Sequence, residues 1–227
     1  MNVITTSGLS RVYNPDTIPV YALKEVDLAI TAGEFTAIVG PSGSGKTTLL
    51  NIIGGLDKPS NGQVIVGGTD IGALTDNQLI QFRRDHIGFV FQAYNLIPVL
   101  TAMENVEFVM LLQNQPVQLR AARAKELLAS VGLADQANKR PSEMSGGQQQ
   151  RVAVARALAS KPSFVLADEP TANLDAASTT QLLDIMAQLN EEEGITFVFS
   201  THDQRVISRA KRVVTLEDGQ IVRDEIR

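Results

Sequence analysis

The chain contains no cysteine and only two histidines, His86 and His202, among its 227 residues. Without cysteine it can form no disulfide bond, no thiol nucleophile, no iron–sulfur cluster and no cysteine zinc site. Two histidines are also too few for a polyhistidine metal site. Any chemistry in this chain must therefore rest on other groups, such as carboxylates, hydroxyls and backbone amides.

Long apolar segments are missing as well. The longest apolar runs are short, as in Phe108–Leu112, whereas a helix that spans a bilayer needs roughly 20 apolar residues. The first residues, Met1–Ser7, lack a basic region followed by an apolar core, so we expect no secretory signal. We therefore expect a protein of the cytosol, or one bound to a cytosolic membrane face.

The charge balance is moderately acidic. The chain has 25 acidic and 20 basic residues, which gives a formal net charge of −5. This balance argues against a nucleic-acid partner, because such proteins usually carry a basic surface. The hydrophobic content of 44% is ordinary for a globular chain. The length favours one domain, or one domain with an inserted part, and allows a core without covalent staples.

Short apolar runs alternate with helical patterns along most of the chain. The pattern predicts a helix over residues 47–56 and buried strands over residues 35–39, 87–91, 164–167 and 196–200. Asp218-Gly219 is a tight-turn signal and predicts a hairpin between two further strands. Strands that alternate with helices indicate an α/β fold with a largely parallel sheet.

Two regions depart from this alternation. Val3–Ile30 and Gln63–Val66 are more typical of an antiparallel sheet. Residues 93–158 show helical spacing and no confident buried strand. We therefore predict a single domain over residues 1–227. Its α/β core spans residues 1–92 and 159–227, with an N-terminal antiparallel part, and a helical sub-domain is inserted at residues 93–158.

A complete phosphate-loop pattern lies between the first predicted core strand and its helix. Gly40–Thr47 reads G-P-S-G-S-G-K-T and fits G-x-x-x-x-G-K-[ST]. Glycines let backbone N–H groups turn inward around an anion, Lys46 supplies a point charge, and the Thr47 hydroxyl can bind Mg²⁺. The strand before and the helix after the loop distinguish it from a chance match. The residues predicted to bind ATP here are Gly40, Pro41, Ser42, Gly43, Ser44, Gly45, Lys46, Thr47 and Thr48.

Two acidic residues follow the predicted strand at residues 164–167. Strand ends in α/β sheets face the ligand crevice, so Asp168 and Glu169 are predicted to lie there. Asp168 would hold Mg²⁺, directly or through water, and Glu169 would orient and polarise the attacking water. The alternative is that both acids only cap the strand exit before Pro170.

The most discriminating stretch is Met144–Arg151, which reads M-S-G-G-Q-Q-Q-R. It closely resembles the L-S-G-G-Q signature motif of ABC-type ATPases, and the methionine is an apolar swap of similar volume. The resemblance covers the chain from Tyr13 to about Gly219. It implies a P-loop NTPase (RecA-like) core with an antiparallel β sub-domain and an inserted α-helical sub-domain.

Further motifs of that family occur in the expected order. Gln92 matches the glutamine loop, and His202 matches the switch histidine. The resemblance implies that His202 hydrogen-bonds the γ-phosphate and that Gln92 reaches the Mg²⁺ or the attacking water. Together with Lys46 and Glu169 they form the predicted catalytic set. Gln92 could instead be an ordinary polar residue at a strand end.

One aromatic residue and one loop complete the family pattern. Tyr13 matches the aromatic residue that stacks on adenine, although half-buried packing is an alternative for it. Residues 172–175 read A-N-L-D and resemble the family's S-A-L-D loop. The first two positions differ in detail, while Asp175 is retained.

The resemblance also implies an ATP-dependent homodimer. In this family the signature motif binds the γ-phosphate held by the other subunit. Ser145 is a good N-cap, and the two following glycines leave backbone N–H groups open at the start of a helix over residues 148–159. Two chains would pair head-to-tail around two ATP molecules. The residues predicted to contact ATP in trans are Ser145, Gly146, Gly147, Gln148 and Asp175.

The family mostly drives transport, so the resemblance implies a separate integral membrane permease. It would dock near residues 92–120 and hold the protein on the cytoplasmic face of the membrane. Residues 91–106 look like the subgroup that powers lipoprotein release, macrolide export and cell-division complexes. Residues 107–110 lack a proline that the subgroup often has.

Three functional classes remain open at this point. The first is an energy-coupling subunit of a transporter. The second is a non-transport ABC ATPase that acts on nucleic acid or ribosomes, but such proteins usually carry features that this chain lacks, such as a long coiled coil or cysteine zinc modules. The third is an ATPase that regulates a membrane complex without moving a substrate, and it shares every motif described above.

Overall fold

A computed structural model describes all 227 residues of the chain. Its ten strands are β1 (Asn2–Tyr13), β2 (Val20–Thr31), β3 (Phe35–Val39), β4 (Asn61–Val66), β5 (Thr69–Asp70), β6 (Ile87–Val90), β7 (Phe164–Asp168), β8 (Phe197–Ser200), β9 (Arg212–Glu217) and β10 (Gln220–Ile226). Its seven α-helices are α1 (Lys46–Ile53), α2 (Asp76–His86), α3 (Ala102–Leu112), α4 (Val117–Ser130), α5 (Gly146–Ala159), α6 (Ala176–Glu193) and α7 (Gln204–Arg209). None of these helices combines the length and the apolar character needed to cross a membrane.

The strands form two sheets. The larger sheet has the order β10-β9-β3-β8-β7-β6, and every neighbouring pair in it is parallel except β10 with β9. The smaller sheet has the order β2-β1-β4-β5 and is antiparallel throughout. The predicted α/β fold, with a largely parallel core and an N-terminal antiparallel part, is therefore confirmed. The hairpin at Asp218-Gly219 is also present.

Strand β7 shows why the central strands are apolar throughout. Phe164 and Leu166 pack on one face of the sheet, in a hydrophobic cluster shared with α1 and the antiparallel sheet. Val165 and Ala167 pack on the other face, in a cluster formed with the helices α3 to α6. A strand that is buried on both faces needs a continuous apolar run rather than an alternating one.

Helix α1 is shorter than the sequence predicts. It ends at Ile53 instead of continuing to residue 56, and Gly54 follows as its C-cap. Gly55 then adopts a left-handed backbone with φ of +65°, which stops the helix. The predicted strands at residues 87–91, 164–167 and 196–200 each differ by one residue from β6, β7 and β8, and the difference at β7 matters because it makes Asp168 the last strand residue.

The segment predicted as a helical sub-domain, residues 93–158, contains α3, α4 and most of α5, and no strand. Buried side chains of these helices, such as Val106 and Leu128, belong to the same hydrophobic cluster as Phe197 of the parallel sheet. The helices therefore pack directly on the sheet, and the boundaries of a separate sub-domain stay a prediction.

Candidate active site

A cleft of about 610 Å³ opens where the parallel strands end. It brings together most of the phosphate loop, Gln92, Glu169 and His202, which lie far apart in the sequence. The lining residues are Val20, Tyr21, Ala22, Gly40, Pro41, Ser42, Gly43, Gly45, Lys46, Thr47, Thr48, Gln92, Glu169, Ala172 and His202. The remaining phosphate-loop residue, Ser44, is buried behind the loop.

The phosphate loop needs glycine at two positions because neighbouring backbone lies very close. A Cβ atom on Gly40 would be 2.0 Å from the carbonyl oxygen of Leu216. A Cβ atom on Gly45 would be 2.4 Å from the carbonyl oxygen of Ala22, and Gly45 has a φ of +104°. Strands β2 and β9 thus clamp the loop, which turns toward the start of α1.

Lys46 is the first residue of α1, and its side chain folds back over the phosphate loop. Its Nζ donates hydrogen bonds to the carbonyl oxygens of Gly40 and Pro41, both at 2.9 Å. The residue is almost fully buried. Its ammonium group therefore lies beside the N–H groups of the loop, and both would stabilise an anion bound there.

Asp168 does not line the cleft itself but contacts Thr47, which does, although 121 residues separate the two in the chain. The Thr47 hydroxyl donates to Oδ1 of Asp168 at 3.1 Å. The Ser200 hydroxyl donates to the same oxygen. Sequence reasoning missed Ser200, but a signal existed, because Ser200 lies opposite Asp168 at the end of the neighbouring parallel strand.

Glu169 follows β7 directly and faces His202. Its Oε1 lies 2.8 Å from Nδ1 of His202, and the Thr201 hydroxyl donates to Oε2 at 3.5 Å. The backbone of Glu169 has a φ of +45°, in the left-handed region that an ordinary residue seldom adopts. The Glu169 side chain is only 17% exposed, while that of His202 is 75% exposed. A half-buried carboxylate thus lies next to an accessible imidazole.

A hydrogen bond joins the loop that follows Glu169 to the residue that follows His202. The Thr171 hydroxyl donates to Oδ2 of Asp203 at 3.0 Å. Asp203 also caps the start of α7, and its hydrogen bond with the Arg205 guanidinium lowers the pKa of its carboxyl group. This charged group fixes the residue that follows His202 against the loop that follows Glu169.

The signature residues form the first turn of α5. The hydroxyl of Ser145 accepts from the backbone N–H of Gln148 at 3.3 Å, and Oε1 of Gln148 accepts from the N–H of Ser145 at 2.9 Å. This reciprocal cap starts the helix at Gly146, two residues earlier than predicted. None of these residues lines the cleft of its own chain.

Asp175 has a local role that sequence reasoning missed. Its carboxylate caps α6 by accepting from the N–H and from the hydroxyl of Ser178, each at 2.8 Å. The bond from the Ser178 N–H lowers the pKa of Asp175. An aspartate before an Ala-Ala-Ser run is itself a capping signal. The contact of Asp175 with ATP in trans stays a prediction.

Tyr13 does not line the cleft. Its hydroxyl donates to Oδ2 of Asp57 at 2.7 Å, and the guanidinium of Arg11 lies 4.5 Å from the ring centroid. In this structure Tyr13 contacts Arg11 and Asp57, while Val20 and Tyr21 line the cleft. Stacking of Tyr13 on adenine stays a prediction, and half-buried packing stays its alternative.

Comparison with known proteins identifies the family of this cleft. The family model for the ABC transporter matches residues 23–172, which include the phosphate loop, the signature residues and Glu169. The chain belongs to the ABC transporter family. It is an ATP-binding cassette that hydrolyses ATP.

Two relatives refine the comparison. The macrolide export ATP-binding/permease protein MacB of Rhodopseudomonas palustris is 47% identical over 225 residues, which are 99% of this chain but only 34% of MacB. The lipoprotein-releasing system ATP-binding protein LolD of Legionella pneumophila is 44% identical over 219 residues, which are 96% of each chain. These relatives confirm the predicted resemblance to the lipoprotein-release and macrolide-export subgroup.

A solved structure supports the fold at high identity. The cassette MJ0796 of Methanocaldococcus jannaschii, solved as a post-hydrolysis dimer bound to ADP and phosphate, is 45% identical to this chain. The match covers 98% of both chains with a TM-score of 0.89. A cassette of this fold therefore forms a dimer with the products of ATP hydrolysis bound.

Proposed function

We propose that this cassette dimerises around two ATP molecules and couples their hydrolysis to a separate membrane permease, for export or extraction of a substrate. The proposal rests on one observation: the residues predicted to bind ATP lie in two separate places on the chain. Lys46 and Glu169 line one cleft and Asp168 contacts its lining residue Thr47, whereas the signature residues lie outside it. A second copy can bring its signature helix to this cleft and complete it.

Thr47 and the adjoining Asp168 fit Mg²⁺. Thr47 and Asp168 supply hydroxyl and carboxylate oxygens, the hard ligands that this ion prefers. No group of three or more acidic, histidine or cysteine side chains could hold a metal ion alone. The other ligands would be Gln92, water and phosphate oxygens, which is usual for Mg²⁺ bound with a nucleotide. The bound ion would neutralise charge on the phosphates.

The protein's own residues divide the remaining work. Lys46 and the loop N–H groups bind the phosphates. Glu169, placed beside the cleft by its left-handed turn, orients the attacking water and accepts its proton. His202 contacts Glu169 and lines the cleft, where its exposed ring would hydrogen-bond the γ-phosphate.

A groove of about 370 Å³ on the opposite side of Gln92 supports a permease partner. It lies between α2, β6 and α3, and its apolar lining includes Phe91, Val109 and Leu112. Three arginines, Arg83, Arg84 and Arg156, line it as well. We assign the permease contact to this groove because Asn95, Val109 and Leu112 of the predicted docking region line it and because Phe91, another lining residue, precedes Gln92 of the ATP cleft.

The names of the relatives support the same partner. MacB is named as an ATP-binding and permease protein for macrolide export, and LolD as part of a lipoprotein-releasing system. By analogy the cassette would work at the cytoplasmic face of a membrane, held there by its permease. The alternative, regulation of a membrane complex without substrate movement, uses the same groove and differs only in whether reconstituted vesicles move a substrate.

The groove assignment is tested with two matched leucine variants. Leu112→Asp places a charge in the groove, and Leu119→Asp places the same charge on an exposed leucine outside it. We expect Leu112→Asp to keep the basal ATPase rate of the purified cassette but to lose the fraction that sediments with cell membranes. Leu119→Asp should keep both. Equal membrane binding by the two variants would refute the assignment.

A further inference from the structure

Two short segments meet between the ATP cleft and the groove. The glutamine segment, residues 91–95, separates the two cavities, because Gln92 lines the cleft while Phe91 and Asn95 line the groove. The acid loop, residues 169–173, begins with Glu169. Movement of the glutamine segment in the groove can act on the cleft through Gln92 itself, and it can act on Glu169 through this loop.

Two side chains join these segments reciprocally. Nδ2 of Asn173 in the acid loop donates to the carbonyl oxygen of Gln92 at 3.0 Å. The Tyr94 hydroxyl in the glutamine segment donates to the carbonyl oxygen of Asn173 at 3.3 Å. Each segment thus gives a side chain to the backbone of the other.

Two side chains of helix α5, Gln150 and Arg156, also donate hydrogen bonds to these segments. Gln150 is fully buried, and its Nε2 donates to the carbonyl oxygens of Phe91 at 3.2 Å and Pro170 at 2.8 Å. Arg156 donates to the carbonyl oxygen of Tyr94 at 2.9 Å and also to that of Asn95. These bonds join the helix that begins with the signature residues to both segments.

The glutamine segment is held in a strained conformation. Tyr94 and Asn95 have φ values of +50° and +51°, in the left-handed region, which is unfavourable for a residue as large as tyrosine. Such a conformation persists only where its surroundings impose it. The bonds from Arg156, Asn173 and Tyr94 itself supply that constraint, so loss of one bond can let the segment shift.

We propose that Asn173 and Tyr94 are positioning residues that hold the glutamine segment in register with Glu169, so that movement in the groove changes the rate of hydrolysis. The proposal rests on the roles proposed above for Gln92 and Glu169. It also gives a role to the asparagine of the A-N-L-D loop, because the alanine of S-A-L-D could not reach the Gln92 carbonyl. The hydrogen bonds from Arg156 and Gln150 hold the segments against α5.

The first test separates positioning from nucleotide binding. Asn173→Ala and Asn173→Asp both remove the donor, and Tyr94→Phe removes only the hydroxyl. We expect each to lower kcat of the cassette about tenfold, since small misplacements at a reacting centre are costly. KM for ATP should stay unchanged because the phosphate loop is untouched. The double variant Asn173→Ala with Tyr94→Phe should lose little more than either single variant.

The second test observes the segment itself. Hydrogen–deuterium exchange of residues 91–96 should become faster in the Asn173 variants and in Tyr94→Phe, while the unfolding temperature changes little. Asn77→Ala, at an exposed asparagine in α2, is the control and should alter neither exchange nor kcat. Unchanged exchange together with unchanged kcat in the Asn173 variants would overturn the proposal.

The exchange rate and kcat together distinguish failure of this positioning role from failure of the proposed function. Faster exchange with unchanged kcat would mean that the bonds exist but do not position Glu169, and it would also overturn the proposal. An effect on KM instead of kcat would do the same. None of these results would affect the assignment of Lys46 or of the permease groove, which depend on other variants.

Discussion

At the scale of single residues, Glu169 depends on both its charge and its backbone. The left-handed φ of +45° directs its side chain to His202, with Oε1 at 2.8 Å from Nδ1. Glutamine has nearly the same shape and can keep this contact through its amide group. It lacks the negative charge that would accept a proton from water.

We therefore predict that Glu169→Gln binds ATP like the wild type but hydrolyses it at least about 100-fold more slowly, as expected for loss of a general base. The variant should accumulate as an ATP-bound dimer in gel filtration. Glu193→Gln, at the exposed end of α6, is the matched control and should behave as the wild type. Turnover close to the wild-type rate in Glu169→Gln would remove Glu169 from the catalytic role.

The residue scale also shows where prediction from the sequence stops. Lys46, Asp168 and Glu169 were predictable because motif spacing and strand ends place them at one edge of a sheet. Asn173 and the capping role of Asp175 were not recognised. The partner of Asn173 is a backbone carbonyl 81 residues away, and no local pattern encodes such a contact.

At the scale of elements, the contact between β6 and α5 fixes the signature helix on the sheet. Gly88 in β6 lies directly against the backbone of α5, and a Cβ atom there would be 2.6 Å from the carbonyl oxygen of Ala157. Neither backbone can move without disturbing its own hydrogen bonds. The close approach therefore determines how far α5 lies from β6 and from the glutamine segment.

We predict that Gly88→Ala lowers the free energy of unfolding by about 1–3 kcal/mol, the usual cost of overpacking a core. Chemical denaturation measures this value. Gly72→Ala is the control, since a Cβ atom there meets no atom closer than 3.3 Å and Gly72 is exposed. Equal stability of the two variants would show that α5 can move away from the sheet at little cost.

Element boundaries were predictable to within a few residues, and the reasons for the errors are physical. The apolar run at residues 35–39 matches β3 completely, because burial on both faces leaves a clear signal. The end of α1 was missed because Gly54 and Gly55, which stop the helix, stand before one more apolar residue, Leu56. The start of α5 was missed because two glycines usually argue against a helix, yet the cap at Ser145 includes them.

At the scale of the whole molecule, the cleft and the signature helix belong to different halves of a complete site. Lys46 lies in the cleft and Ser145 does not. In the proposed head-to-tail dimer, the phosphate loop of one chain faces the signature helix of the other. A cassette that worked alone would instead need both residues at the same site within one chain.

The last prediction separates these arrangements. Ser145→Arg blocks the signature end with a bulky charge, and Lys46→Ala removes the phosphate contact, so each variant alone should lose most activity. Lys46→Ala should also bind ATP more weakly, because the ammonium group is lost. In a mixed dimer with one lesion per chain, both lesions fall on the same one of the two sites, because Lys46 of one chain shares a site with Ser145 of the other.

The second site of that mixed dimer then contains only wild-type residues. We therefore expect ATPase activity to return when the two inactive variants are mixed, measured in a dimer purified with a different tag on each chain. Each variant mixed with a differently tagged copy of itself is the control and should stay inactive. If each chain instead built its own site, every site in the mixed dimer would carry a lesion, and mixing would restore nothing.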